Sequence, residues 1–212
     1  VIVAGGPWAG DLLPAWAKFL RVTRQVQAWI ETHNKDAGCK QRSDNDSDRA
    51  STVLHHPSCM PTWIRAPDPG DNLPPLYGFP VDPSSQYPDR IKVALHGRRE
   101  VVDPDDIEGR TAVSASDIDE LSNAAAGFVC AASLSSSLSP VVDARSCLYT
   151  VSPDEHFLVG FHGESGRICA AAGLSGHGFK MVPALGEALA DLATDGLTGL
   201  PVKFLCPSRF DN

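Results

Sequence analysis

Residues 147–180 read CLYTVSPDEHFLVGFHGESGRICAAAGLSGHGFK, and the reading of this stretch decides the fold. Cys147 leads through Tyr149-Thr150 and the turn formers Pro153-Asp154 into two apolar runs, Phe157–Val159 and Ile168–Ala172. Each run predicts a strand, with HGESGR as the turn between them. The second strand empties into Gly173-Leu-Ser-Gly-His-Gly-Phe-Lys180. From Phe179 to Leu192 the spacing predicts a helix, and Pro183 is tolerated because it falls in the first turn. The product is a strand–loop–helix unit closing an α/β frame.

The loop carries chemistry of its own. Its glycines at 173, 176 and 178 let the backbone approach a flat ligand closely. The helix that follows adds partial positive charge, and Lys180 adds a full one. Together they suit an anionic centre, such as a reduced flavin or a substrate carboxylate. Taken alone, the plainer reading is an ordinary strand-to-helix turn with His177 solvated. Cys147 alone is likewise a packing thiol by default, and the spacing puts it in a turn.

Working upstream, Ser116 opens a helix pattern with Asp117, Asp119 and Glu120 in its first turn, where the helix dipole favours carboxylates. Ile118, Leu121, Ala125, Phe128, Val129 and Ala132 follow at helical spacing, and LSSSLSP ends the pattern at Pro140. Leu76–Val81 and Ile91–Leu95 predict strands on either side of the Pro-rich turn DPSSQYPD. Phe19–Ile30 predicts another, with Val22, Arg24, Val26, Ala28 and Ile30 on one face. Residues 33–52 are polar and predict a surface insertion. Val1–Ala4 predicts a short buried parallel strand ending at a cofactor edge. The following GGPWAG fails the dinucleotide signature GxGxxG, because Pro7 and Trp8 stand where the second glycine is needed. The fold class expected is an α+β substrate domain with a large, mainly antiparallel sheet. It is inserted into an incomplete α/β, Rossmann-like frame.

Acidic residues outnumber basic ones by 26 to 18, a net charge of −8, which opposes a nucleic acid or an anionic membrane as partner. No apolar run approaches the ~20 residues of a bilayer span. The six cysteines form no CxxC and no Cys/His zinc spacing, so reduced intracellular thiols and no metal site are expected. His55-His56, His156 and His162 have no partners at ligand spacing. The opening VIVAGG lacks the charged start of a secretory signal and reads as an interior strand, so the sequence is expected to be a fragment.

The ordered series CxYTxxPDExF, strand, turn, strand, GxSGHGFK resembles the monomeric sarcosine oxidase family, which includes the N-methyltryptophan and pipecolate oxidases. The resemblance extends to Val1–Pro14, similar to the last strand of the family's FAD domain with its Gly-x-Trp turn at Gly6 and Trp8. It extends also to Arg24-Gln25-Val26, to Tyr77-Gly-Phe-Pro80, and to Lys92 and His96 in KVALH. It implies FAD as cofactor, bonded through sulfur to Cys147. It implies ring-side contacts from Gly6, Trp8, Gly173, Ser175, Gly176, His177, Gly178 and Lys180. Tyr77, Tyr149, Gly176 and Lys180 would meet the substrate, His96 would lie near its amine, and Lys92 would activate dioxygen. The implied domains are 1–18 and 149–212 for FAD and 19–148 for substrate. The implied reaction turns a small secondary amino acid and dioxygen into imine and hydrogen peroxide, in a monomer of the cytoplasm or peroxisome. The family's N-terminal half, with its GxGxxG turn, has no counterpart in these residues. The chain alone is therefore expected neither to bind FAD tightly nor to turn over.

Two other readings stand beside this one. One is a non-catalytic remnant or partner-binding module, which flavin absorbance would discriminate. The other is a flavin dehydrogenase using a different electron acceptor, which oxygen consumption would discriminate.

Overall fold

The structure is a computed structural model that describes residues 1–31, 57, 60–67, 70, 74–88, 90–97, 100–126 and 141–211. The expected insertion at 33–52 and the helix positions Phe128, Val129 and Ala132 lie outside the described residues, as do His55 and His56. In chain order the elements are β1 (Ile2–Val3), α1 (Ala9–Leu12), α2 (Pro14–Ala17), β2 (Arg21–Glu31), β3 (Trp63–Arg65), β4 (Leu76–Phe79) and β5 (Arg90–Leu95). They continue with α3 (Ile107–Thr111), α4 (Ala115–Ala126), β6 (Val141–Val151), β7 (Leu158–His162), β8 (Ile168–Ala172) and α5 (Val182–Thr194). The chain packs as two units: residues 25–98 with 111–147, and residues 1–24 with 99–110 and 148–212.

The first unit is built on a five-stranded sheet in the order β3-β4-β5-β2-β6. The pairs β3/β4, β4/β5 and β2/β5 are antiparallel. Successive strand residues point to opposite faces, and one face is apolar throughout. Val26, Ala28 and Ile30 of β2, Leu76 of β4, and Ile91, Val93 and Leu95 of β5 are buried with Leu121, Ala124 and Ala125 of α4. Trp63 packs flat over Gly78, where an added Cβ would come within 2.3 Å of the indole. The β4–β5 connection is pinned by Asp82, whose carboxylate accepts from the N–H (2.9 Å) and hydroxyl (2.6 Å) of Ser84.

The start of α4 differs from the expectation. Ser114, not Ser116, is the cap: its hydroxyl accepts the Asp117 N–H at 3.1 Å while the Asp117 carboxylate accepts the Ser114 N–H at 2.8 Å. The reciprocal bond needs a three-residue spacing to an acidic side chain, which Ser114-Asp117 provides.

The second unit holds a three-stranded sheet, β1-β8-β7. β1 runs parallel to β8, with Ile2 opposite Cys169, and β7 runs antiparallel to it, with Leu158 opposite Ala172. Both faces of β8 are covered, which is why its sequence is continuously apolar. Cys169 and Ala171 pack with Val159 and with Leu185 and Leu189 of α5. Ala170 and Ala172 pack with Leu158 and with Ala9, Leu13 and Trp16 of α1 and α2. β1 is parallel, as its sequence predicts, but it is not buried. Among the described residues β8 is its one neighbour, and Val1 and Ile2 are 79% and 48% exposed.

The turn after β6 is tied to the C-terminal segment by Arg209. Its guanidinium donates to both oxygens of Asp154, at 2.8 and 3.0 Å, and to the carbonyl oxygens of Leu205 (2.8 Å) and His156 (3.2 Å). The hydrogen bonds from Arg209 hold the Asp154 carboxyl far below the usual carboxylate range. A carboxyl depressed in the folded state stabilises above its unfolded value, about 4, and loses that contribution as the pH falls below it. Asp154→Asn should therefore lower the urea midpoint at pH 7 by the equivalent of about 1–2 kcal/mol. The deficit against the unmodified chain should shrink towards pH 3.

Candidate active site

The face of the five-stranded sheet away from α4 carries the polar and aromatic residues. Register fixes a row across three strands: Phe79 of β4 lies opposite Lys92 of β5, which lies opposite Trp29 of β2. The Lys92 ammonium sits 5.6 Å from the ring centroids of both Phe79 and Trp29, within cation–π range. Tyr77 meets Phe79 edge-on at 6.1 Å and His96 at 6.3 Å. The His96 backbone N–H is anchored on the Pro75 carbonyl at 2.7 Å.

β6 completes this face. The Arg145 guanidinium lies 5.5 Å from the Trp29 ring and is held by Asp143 at 3.0 Å and the Tyr87 oxygen at 3.3 Å. Two residues on, Cys147 shares its face and lies near enough to Lys92 for each to feel the other's charge. Burial pushes the Cys147 thiol up, and Lys92 opposes that shift; burial pushes Lys92 down, and Cys147 opposes it. Tyr77, Lys92, His96 and Cys147 are thus brought together on one half-buried surface. Cys147 is in a strand, not in a turn. The sequence of β6 misleads because Asp143, Arg145 and Ser146 dilute its alternation, and pairing with β2 decides its conformation. Trp29 and Arg145 were not singled out from sequence. The signal for Trp29 was available, since alternation opposes it to the buried Ile30.

In the other unit, the loop after β8 is clamped to the end of β6. The Ser175 N–H donates to the Thr150 carbonyl at 2.9 Å, and the Ser152 N–H donates to the Ser175 hydroxyl at 3.3 Å. That hydroxyl donates in turn to the Gly173 carbonyl at 3.0 Å. Ser175 is buried, and its φ of 49° is the left-handed conformation that the clamp imposes. Its side chain and its backbone N–H are both occupied inside the loop.

Gly176, at φ 78°, lies on Tyr149 so closely that a Cβ would come within 2.1 Å of the ring. His177 stacks on Phe157 at 4.9 Å with Nδ1 3.1 Å from the Ser175 oxygen. Gly178 is buried against Leu174. Lys180 is exposed in a single 3-10 turn, Phe179–Met181, and α5 begins only at Val182 with Pro183 in its first turn. Beside the loop is an apolar cavity of about 410 Å³, walled by Phe157, Met181, Leu185, Val202 and Phe204 and reached by Lys180.

Gly6 opens a 3-10 turn at φ 53°, and the Trp8 indole N–H donates to Asp105 at 2.7 Å, with Arg110 5.7 Å from its ring. His156 packs edge-on to Phe204, and the His162 ring accepts the Ala15 N–H at 3.4 Å. Among the described residues, no cluster of three or more His, Cys, Asp or Glu side chains is placed to hold a metal ion. No helix among them is long and apolar enough to cross a membrane.

The chain is 29% identical to a monomeric sarcosine oxidase of Streptomyces avermitilis over 99% of its own length and 47% of that protein's. It is 28% identical to an N-methyl-L-tryptophan oxidase of Yersinia pestis, again over 99% of the chain and 47% of the relative. It therefore spans about half the length of the curated relatives it matches. Among solved structures it shares its fold with an L-proline dehydrogenase from P. horikoshii, at a TM-score of 0.66 and 21% identity, over 100% of this chain and 46% of that one. The family model described as FAD dependent oxidoreductase matches residues 1–192. The chain belongs to the family of FAD-dependent oxidoreductases.

Proposed function

We propose that this chain supplies the flavin-ring and substrate-binding residues of an FAD-dependent oxidase of small secondary amino acids, N-methylated or cyclic, that releases an imine and hydrogen peroxide. The observation that carries the reading is the grouping of a thiol, a cation and an aromatic wall on one sheet face, in a chain similar throughout to sarcosine and N-methyltryptophan oxidases.

The residues fit the ring end of FAD. Gly176 presents bare backbone that no side chain could share with Tyr149, and Lys180 offers an exposed cation beside it. Cys147 and Lys92 offer a nucleophile and a charge. They do not supply the pyrophosphate end, because the sequence has no GxGxxG turn. Segments 1–18 and 149–212 are assigned to the FAD side and 19–148 to the substrate side.

Bound FAD supplies the hydride acceptance that side chains cannot provide. The chain's own residues bind and orient. Lys180, with the Gly176 backbone, is assigned to the substrate carboxylate by electrostatic preorganisation, and Tyr149 and Tyr77 are each assigned to the substrate by the resemblance to sarcosine oxidases. His96, braced by Tyr77, faces the amine. Lys92, between two aromatic faces, is assigned to stabilising negative charge as dioxygen is reduced. Cys147 tethers the flavin through its sulfur.

The test is peroxide release from the gene product containing these 212 residues, with sarcosine, N-methyltryptophan and pipecolate as substrates. Peroxide with at least one supports the reading; flavin bleached by none of them overturns it. Residues 1–212 alone should show no stoichiometric quenching when FAD is titrated in, since their sequence has no GxGxxG turn to hold the pyrophosphate. Tight equimolar binding would contradict that assignment.

A further inference from the structure

We propose that Arg209 is a positioning residue for the glycine loop, acting through Asp154 and Ser152 to fix Ser175 and hence where Gly176 and Lys180 meet the substrate. The proposal deepens the assignment of Gly176 and Lys180 to the substrate carboxylate and rests on it.

Arg209 stands in the 3-10 turn Pro207–Phe210, beyond the residues 1–192 that carry the family match. Its base is firm, because Leu205, in the 3-10 turn before it, is buried with Phe157 and with Leu185 and Leu189 of α5. A guanidinium carries five N–H donors in a fixed fork, and here Nε, Nη1 and Nη2 spend them on five bonds. Nε and Nη2 donate to the two oxygens of Asp154 at 2.8 and 3.0 Å, and Nη2 donates also to the His156 carbonyl at 3.2 Å. Nη1 donates to the carbonyls of Leu205 and Cys206 at 2.8 and 3.3 Å. A two-pronged guanidinium–carboxylate contact is among the strong hydrogen-bonded pairs, so it fixes the Ser152–His156 turn to the tail. Inside that turn Asp154 Oδ1 accepts the His156 N–H at 3.1 Å, and the Ser152 hydroxyl donates to the His156 carbonyl at 2.5 Å.

The turn grips the glycine loop at two points. The Ser152 N–H donates to the Ser175 hydroxyl at 3.3 Å, and the Phe157 ring carries the His177 ring at 4.9 Å. Backbone strain marks the same two segments. Among the described residues, the non-glycine residues with a left-handed φ are Glu155, at 60°, and Ser175, at 49°, one on each side of the grip. Such conformations are costly and persist only where the surroundings over-determine them. Arg209 supplies the outer constraint on the first, and Ser152 passes it to the second. Gly176 follows Ser175 directly and lies against the Tyr149 ring. Lys180 follows through a turn closed by the Met181 N–H on the Gly178 carbonyl at 2.9 Å.

The test uses the gene product containing these 212 residues, labelled at glycine and histidine for NMR. Gly176 lies on the Tyr149 ring, so its resonances should be displaced by the ring current. Arg209→Gln should move the Gly176 and His177 resonances, while those of Gly10 in α1 and Gly186 in α5 keep their places. A loss of global stability alone would change the folded population and leave native resonances where they are. Gly176 and His177 unmoved would overturn the proposal, as would equal displacement of Gly10 and Gly186. If Arg209→Gln fails to fold, Asp154→Asn breaks the same fork and is read by the same criteria. With whichever amino acid releases peroxide, Arg209→Gln should raise KM about tenfold and change kcat less than about threefold, the signature of a lost hold on bound substrate. An unchanged KM would overturn the proposal. Peroxide released by the parent with none of the amino acids would remove the carboxylate reading, and the resonances would still decide whether Arg209 positions the loop.

Discussion

Lys92→Met should slow reoxidation of the reduced flavin by about 10²–10³-fold, the cost of losing one preorganised charge at a developing anion. Reduction by substrate should change only a few-fold. The asymmetry follows from where charge appears: dioxygen acquires negative charge only in the oxidative half-reaction, and Lys92 is the cation held between Trp29 and Phe79. Stopped-flow traces of the two half-reactions separate the effects. Making the comparison in a Cys147→Ser background removes any contribution from flavin attachment. Equal slowing of both half-reactions would assign Lys92 to substrate binding instead.

Gly176→Ala should destabilise the chain by about 2–4 kcal/mol, combining a left-handed φ with overpacking. The added methyl would meet the Tyr149 ring at 2.1 Å, and the loop has little room to retreat because Ser175 is bonded to Thr150, Ser152 and Gly173. Gly186→Ala is the matched control. It lies within α5 with nothing near the new methyl, so it should be neutral or stabilising by up to about 1 kcal/mol. Urea unfolding of the two variants checks both signs. A midpoint for Gly176→Ala equal to that of the control would mean that the loop is not clamped.

Much of this was legible in the sequence, for a physical reason. The strands β2, β4, β5, β7 and β8 announce themselves because their buried residues alternate or run continuously apolar, and the glycine loop is marked by residues that nothing else replaces. The order of Cys147, the PDE turn and GHGFK is specific enough to indicate the family. What was not legible depends on partners distant in sequence. β6 is a strand because β2 lies beside it, and its own pattern of Asp143, Arg145 and Ser146 does not demand one. β1 looks buried by composition, yet an edge position leaves Ile2 exposed. The cap of α4 is Ser114 because a capping box depends on a reciprocal bond, whereas the acidic cluster after Ser116 points two residues too late. Trp29 was hidden for a related reason: it faces away from the core that made β2 recognisable, and only register places it over Lys92.

The central claim is that Cys147 carries the flavin, and peptide mapping of the holoprotein tests it most directly. Acid-precipitated, digested protein should yield one flavin-bearing peptide, and it should contain Cys147. Cys147→Ser should release all of its colour into the acid supernatant. Flavin lost entirely from the unmodified protein, or found on a peptide carrying another residue, would contradict the account.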